Sequence, residues 1–311
     1  MRIAFLIGAH TDVKQLIRLL ESLQSYGDAY IHVDGKVKDQ FFLSTLTDYV
    51  TNHSNNVFVS SKRFKVAWGG YSQVKWQILL LKTALSKGLY DRYVFLSGLD
   101  YPIYSVHEMM DTFEKNKNKE YVNGYNLTLN IGNVTQQRIK YYHFFRDIPL
   151  PHKWILRRVI IGGVFLLLRY LGIRCNTFLI VNNEKWNVYV GSQWTALTKE
   201  CAKYIVKIIE EEKCISKYFS HTYSPDELVI PTIVFNSEFC NNAVEITQKI
   251  FSELAPLHYL NYTDHIWDYD EKDYYTLVES KKMFVRKLIS GKSEKLIEML
   301  EKRKKTVNLM E

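Results

Sequence analysis

The chain has only four cysteines, and their spacing carries no signal. Cys175, Cys201, Cys214 and Cys240 form no C-x-x-C pair and have no accompanying histidine pattern. Neither a zinc site nor a disulfide framework is therefore expected, only reduced core thiols. No G-x-G-x-x-G is present, which removes the dinucleotide fingerprint. No motif of a nucleic-acid reader accompanies the basic charge, so nucleic acid is not an expected partner. The N-terminal run Met1–Gly8 is interrupted too soon, by His10 and Asp12, to act as a signal peptide. It reads instead as a buried strand. Without an export signal, the Asn-x-Ser/Thr triplets at Asn52, Asn126, Asn133 and Asn261 are chance.

What is present is an ordinary globular balance, with 47% hydrophobic and 24% charged residues among 311, enough for one large domain. Aromatics reach 14%, and tyrosine leads with 22 residues. Rings with polar tips suit stacking on sugars or bases, and equally an α/β core. The formal net charge of +8 favours an anionic partner, whether phosphate-bearing substrate, nucleic acid or acidic membrane.

In chain order, residues 2–9 form an apolar strand. Thr11 or Asp12 then caps a helix whose apolar positions Val13, Leu16, Ile17, Leu19, Leu20 and Leu23 keep a helical period up to Tyr26-Gly27. A second strand runs from Ala29 to Asp34. Strand–helix–strand opens a parallel sheet, and ligands bind such sheets at the carboxyl ends of the strands, where His10 and Asp34 fall. Asp34 reads either as an acceptor for a ribose or base or as a strand-end turn residue. Val57–Val59 is a third strand. Trp68-Gly69-Gly70 precedes a helix ending at Gly88, a pattern that suggests close backbone approach to something, such as a ligand at the helix N-terminus. Tyr93–Leu96 is a further strand, and Ser105-x-x-Glu108 caps the helix after it.

Tyr223-Ser224-Pro225-Asp226-Glu227 reads as a helix start, with Ser224 as N-cap, Pro225 at the first position and Glu227 closing a capping box. Glu227 is then either a cap of its own helix or a general base at the mouth of a site. Nothing local decides between the two.

Six ordered blocks decide more: Tyr30–Asp34, Trp68–Ser72, Leu96–Pro102, Gly191–Thr198, Ser224–Glu227 and Met283–Lys287. Together they resemble the core-2/I-branching glycosyltransferases, the family of β-1,6-N-acetylglucosaminyltransferases and peptide xylosyltransferases, over residues 1 to about 290. The resemblance implies an α/β, GT-A-like fold and an inverting, metal-independent transfer from a UDP-sugar to a glycan hydroxyl. Such a transfer needs one base for the acceptor hydroxyl, and the family's motif puts it on Glu227. No cofactor is implied beyond the UDP-sugar co-substrate. The Asp-x-Asp of metal-dependent relatives is replaced by Ser97-Gly98-Leu99-Asp100, and Asp268-Tyr269-Asp270 reads as a solvated acidic loop. The resemblance gives the diphosphate to Lys287 first and Arg286 second, the alternative being an exposed basic helix face. One departure is the lack of an Arg in 261–267, where His265 is the nearest cation. Gln193 and Trp194 would line the acceptor side with Asp100, Trp194 reading equally as a core residue; Trp68 lies in a family block without a derived role. GlcNAc from UDP-GlcNAc is the first choice of sugar, with xylose or another UDP-sugar as alternative. A catalytically inactive glycan- or membrane-binding protein is the rival of another class.

Residues 150–175 are a basic, apolar insert. The ten uncharged residues from Val159 to Leu168 fall short of the ~20 that span a bilayer. Flanked by Arg157, Arg158, Arg169 and Arg174, they read as a helix lying in an anionic interface or as a buried hairpin. The expected partners are thus a UDP-sugar, a glycan or lipid-linked glycan acceptor, and a membrane surface contacted peripherally. Absence of an anchor favours a bacterial cytoplasmic enzyme of surface-polysaccharide synthesis. Residues 291–311 read as a charged C-terminal helix with a frayed end.

Overall fold

The computed structural model describes residues 1–53, 55–88, 90–130, 134–147, 154–247, 251–261 and 267–310. His265, Lys153 and the side chains of Arg157 and Arg158 lie outside the described residues.

The chain opens as β1 (Ile3–Ala9), α1 (Val13–Leu23) and β2 (Gly27–Val33). Of the two candidate caps it is Asp12 that serves: its carboxylate accepts from the Gln15 N–H at 3.1 Å. A helix not read from the sequence, α2 (Gln40–Asn52), precedes β3 (Val57–Val59). Next come α3 (Ser72–Lys87), β4 (Arg92–Ser97), β5 (Asp100–Pro102) and α4 (Val106–Lys115). Gly88 ends α3 at φ 67°, the left-handed conformation that glycine adopts without a side-chain penalty. The Ser105/Glu108 capping box is formed in both directions. The second half of the chain supplies α5 (Trp154–Tyr170), β6 (Ala196–Thr198), α6 (Lys199–Glu211), β7 (His258–Tyr259), β8 (Phe284–Arg286) and α7 (Glu294–Met310).

The main sheet has the order β6-β4-β1-β2-β3, with β6 alone antiparallel. Both of its faces are covered, so its strands are apolar on both sides. Alternation along β1 divides the core: Ala4 and Leu6 pack with Trp76 and Leu80 of α3, whereas Ile3, Phe5 and Ile7 pack with Leu16, Leu20 and Phe42 under α1 and α2. A small sheet, β7-β8-β5, sits at the edge and shares a third cluster with α7 through Leu296, Ile297 and Leu300. The charged tail forms a helix that docks on this edge through residues 296 to 304, and the side chains from 308 onward lie outside the described residues. The Arg303 guanidinium forks onto the Glu108 carboxylate, and the buried Lys304 donates to the Ser22 hydroxyl at 2.9 Å. α5 is a helix and not a hairpin, and none of its described residues is fully buried.

Candidate functional site

In the main sheet β1 leads to β2 and β3 on one side, while β4 returns on the other. Gly8 thus faces His32 in one register and Ser97 in the other. This reversal of strand order is where a parallel sheet opens a crevice at its carboxyl edge. A cleft of about 320 Å³ lies there, lined among others by His10, Asp34, Lys36, Trp68, Trp194 and Arg286. Trp76 of α3 forms its floor. A Cβ on Gly8 would stand 3.0 Å from the Trp76 ring, so glycine is what lets strand and ring meet.

Asp34 is held rather than loose. Its Oδ1 accepts from the Lys36 N–H at 2.8 Å and the Val66 N–H at 3.2 Å, and its Oδ2 lies 3.4 Å from the Lys36 ammonium. The sequence left a turn role and a ligand role open, and the carboxylate does the first while bordering the cleft needed for the second. Behind it, His32 accepts the Phe64 N–H at 2.9 Å, and burial pushes its imidazole down to about 4. His32 is thus a neutral wall residue at ordinary pH. His10 stands at the exposed mouth. Its imidazole also lies below the ordinary value, through desolvation against the cleft wall and then the Arg286 cation.

Asp100 departs from expectation. It is wholly buried and cannot line a sugar subsite. Pairing of β8 with β5 sets Arg286 directly opposite Asp100. The Asp100 Oδ1 accepts from Arg286 at 3.0 Å, while Oδ2 accepts from the Ser97 N–H at 2.7 Å and meets His258 Nε2 at 3.0 Å. Burial alone would raise this carboxyl, but His258 and Arg286 carry it below its usual value. The carboxylate where a metal-binding Asp-x-Asp would end thus anchors a cation that faces the cleft. Arg286 also contacts the Ser97 hydroxyl and lies 4.9 Å over the Trp194 ring. Trp194 is 4% exposed and belongs to the core cluster, with Arg286 over one face, and it also borders the cleft. Half-buried Gln193 beside it lines the cleft.

Arg286 lines the cleft, whereas Lys287 is engaged beside it. Its ammonium pairs with Asp268 at 3.1 Å, and Lys292 reaches the other oxygen at 3.8 Å. The acidic stretch 268–270 is consequently not a solvated loop: Asp268 neutralises lysines, Tyr269 is buried, and Asp270 caps a short 3-10 turn. The 284–286 block is a strand and not an exposed helix face. Among the described residues, no three His, Cys, Asp or Glu side chains gather as a metal-ligand set.

Glu227 stands in a smaller pocket of about 60 Å³, which it shares with Gln193, Trp194, Leu254 and Leu260. Gln193 and Trp194 line both cavities and so form a common wall. The expected capping box at Glu227 is not formed. Ser224 has φ 50°, its side chain makes no cap bond, and Pro225–Glu227 is a single 3-10 turn. The Glu227 carboxylate pairs instead with Arg138 at 2.8 Å, and 30% of the side chain remains exposed. Arg138 also donates to the carbonyls of Tyr223 and Ser224, at 3.1 and 3.0 Å, and so clamps the whole turn. The neighbouring Asp226 is buried, and desolvation, then the Glu227 charge, push its carboxyl up to about 7.

Trp68 is 74% exposed and meets Tyr223 edge-on at 5.5 Å. Gly69, at φ 71°, permits this, since a Cβ there would come within 2.7 Å of the Tyr223 ring. The N-terminus of α3 is not free for a ligand. The Asp147 carboxylate already accepts from the Ser72 N–H and hydroxyl. Arg138 and His258 were missed by the sequence reading. Neither belongs to one of the ordered blocks, and each matters through a partner far away in the chain.

The family model described as Core-2/I-Branching enzyme matches residues 3–278. Xylosyltransferase oxt of Drosophila pseudoobscura pseudoobscura is 26% identical over 254 residues, which are 79% of this chain and 25% of that protein. Xylosyltransferase 2 of Rattus norvegicus is 24% identical over 319 residues, 97% of this chain and 33% of that one. Probable beta-1,3-galactosyl-O-glycosyl-glycoprotein beta-1,6-N-acetylglucosaminyltransferase 7 of Sus scrofa is 30% identical over 103 residues, 32% of this chain and 24% of that protein. The chain spans about a quarter to a third of the length of these curated relatives. A match from the first strand to residue 278, just short of β8 and Arg286, takes in the strand ends that line the crevice, the Gln193–Trp194 wall and the Glu227 turn, and on that extent the chain belongs to the Core-2/I-Branching enzyme family, with its GT-A-like fold.

Proposed function

We propose that this protein is an inverting glycosyltransferase that moves a sugar from a UDP-sugar to a glycan hydroxyl, free or carried on a lipid. One observation carries the reading: Glu227 faces a pocket that shares the Gln193–Trp194 wall with a cleft bearing Asp34 and Arg286. Acceptor and donor would meet across that wall. The Glu227 carboxylate takes the proton from the acceptor hydroxyl. The oxygen attacks the anomeric carbon as the bond to the diphosphate breaks on the opposite face, and UDP leaves with the electron pair. Arg286, fixed by Asp100 before substrate arrives, balances the charge that develops on the phosphate, with Lys287 behind it. Such a preorganised cation supports a reaction without metal. Asp34 and His10 are assigned to the nucleoside side.

GlcNAc is the first choice of sugar. Xylose is the second reading, favoured because the xylosyltransferase matches extend over 79% and 97% of the chain and the acetylglucosaminyltransferase match over 32%. Radiolabelled UDP-GlcNAc and UDP-xylose, each with EDTA present, test both. Transfer should survive EDTA, and Glu227→Gln should abolish it while leaving UDP affinity nearly intact. Normal turnover in Glu227→Gln removes that residue from the mechanism, and loss in EDTA with recovery in manganese removes the metal-free step.

A further inference from the structure

α5 reverses the usual patterning of a surface helix. Its inner side is half-buried, with Phe165 stacked on His143 at 5.0 Å and edge-on to Tyr141 at 5.7 Å. Its outer side is Val159, Gly163, Leu166 and Tyr170, at i, i+4, i+7 and i+11, one stripe of an α-helix, with Leu167 alongside. Val159, Leu166, Leu167 and Tyr170 are 63%, 61%, 56% and 88% exposed. Leu171 and Ile173 extend the stripe beyond the helix end. A contiguous apolar strip of this kind on a surface marks a binding face.

Charge selects the occupant. From residue 148 to residue 183 the sequence contains no Asp or Glu, whereas Arg157, Arg158, Arg169 and Arg174 punctuate it. Arg169 and Arg174 are exposed beside the stripe. An aliphatic strip with cations only at its margin and a tyrosine at one end complements a bilayer interface, with acyl chains below and anionic headgroups above. Among the described residues no helix is long and apolar enough to cross a membrane.

We infer that α5 and the following 171–174 turn dock on an anionic lipid bilayer. The face is tied to the Glu227 turn by rings. His143, under Phe165, lies 5.6 Å from Tyr223, whose own ring meets Trp68 and whose carbonyl is held by Arg138. Docking would therefore hold the Glu227 pocket near the headgroups, where the hydroxyl of a lipid-linked glycan is presented. That last consequence rests on the transferase reading, while the docking itself does not.

The test is co-sedimentation of the full chain with phosphatidylcholine vesicles, with and without phosphatidylglycerol, at low and high salt. Binding should require phosphatidylglycerol and weaken with salt. Arg169→Glu/Arg174→Glu should lose it. Leu166→Asp/Leu167→Asp should weaken it by about a hundredfold or more, since each leucine removed from the interface costs about tenfold. These side chains are exposed, so circular dichroism and Tm should match the wild type. Binding that ignores phosphatidylglycerol, or survives Leu166→Asp/Leu167→Asp, overturns the proposal. So does a dimer in sedimentation velocity that the same pair dissolves, which would make a second copy the occupant. If wild type binds vesicles yet transfers no sugar to any acceptor, the transferase reading fails and the docking stands.

Discussion

Asp100→Asn probes the buried centre of the cleft wall with little change of shape. The wild-type carboxylate is fully buried and serves Arg286, His258 and the Ser97 N–H together. Removing one member of a buried ion pair costs about 3–5 kcal/mol, because the remaining charge keeps its desolvation cost without compensation. Arg286 retains 13% side-chain exposure, which places the expected loss near the lower end, about 3 kcal/mol. For a chain of this size that corresponds to a Tm lower by roughly 5 °C.

The pH dependence follows from the direction of the shift. The folded Asp100 carboxyl lies below its usual 3.8, so on the acid side the native state binds fewer protons than the unfolded state. Its contribution is complete above the unfolded value and is lost as pH falls through the folded one. Urea unfolding of wild type and Asp100→Asn, followed by tryptophan fluorescence, should therefore diverge by about 3 kcal/mol near neutral pH, and the gap should begin to close only as pH falls below about 4. UDP binding should weaken in the variant, because Arg286 loses its fixed position. A difference under about 1 kcal/mol, or one that does not change with pH, would refute the view that Asp100 anchors Arg286 as a charged partner.

Asp226→Asn has the opposite sign. The folded carboxyl is raised from 3.8 to about 7, so wild-type stability falls as pH rises between those values. The variant should be the more stable above that window, by up to a few kcal/mol, as read from Tm at mildly alkaline pH. Trp68→Ala should leave Tm within about a degree, since the ring is largely exposed, yet raise the KM for a glycan acceptor several-fold if the ring stacks on sugar. Arg286→Ala should weaken UDP binding in calorimetry more than Lys287→Ala does, because Lys287 already has Asp268 as partner. Equal losses would restore the order in which Lys287 comes first.

The parts of this fold legible in the sequence are those specified by neighbours along the chain. The β1–α1–β2 opening, the stop at Gly88 and the Ser105/Glu108 box each follow from periodicity or capping within a few residues. α2 escaped because Phe41, Phe42, Thr45, Thr47, Tyr49 and Thr51 are indifferent helix formers. It persists because Phe42, Leu46 and Tyr49 are buried against the sheet and α1, packing that outweighs weak local propensity. The site was legible only as an ordered set of blocks, and its internal logic was not. Asp100 and Arg286 lie 186 residues apart, and their meeting depends on the antiparallel register of two three-residue strands. Glu227 shows the limit most clearly. Ser-x-x-Glu has the composition of a capping box, and locally that is the cheaper explanation for the glutamate. The left-handed backbone at Ser224 breaks the box, and Arg138, from a different segment, takes the carboxylate out of the helix start. Glu227 is thus held by a partner 89 positions away in the chain rather than by its own helix start, and its side chain, 30% exposed, still borders the pocket it shares with Gln193 and Trp194.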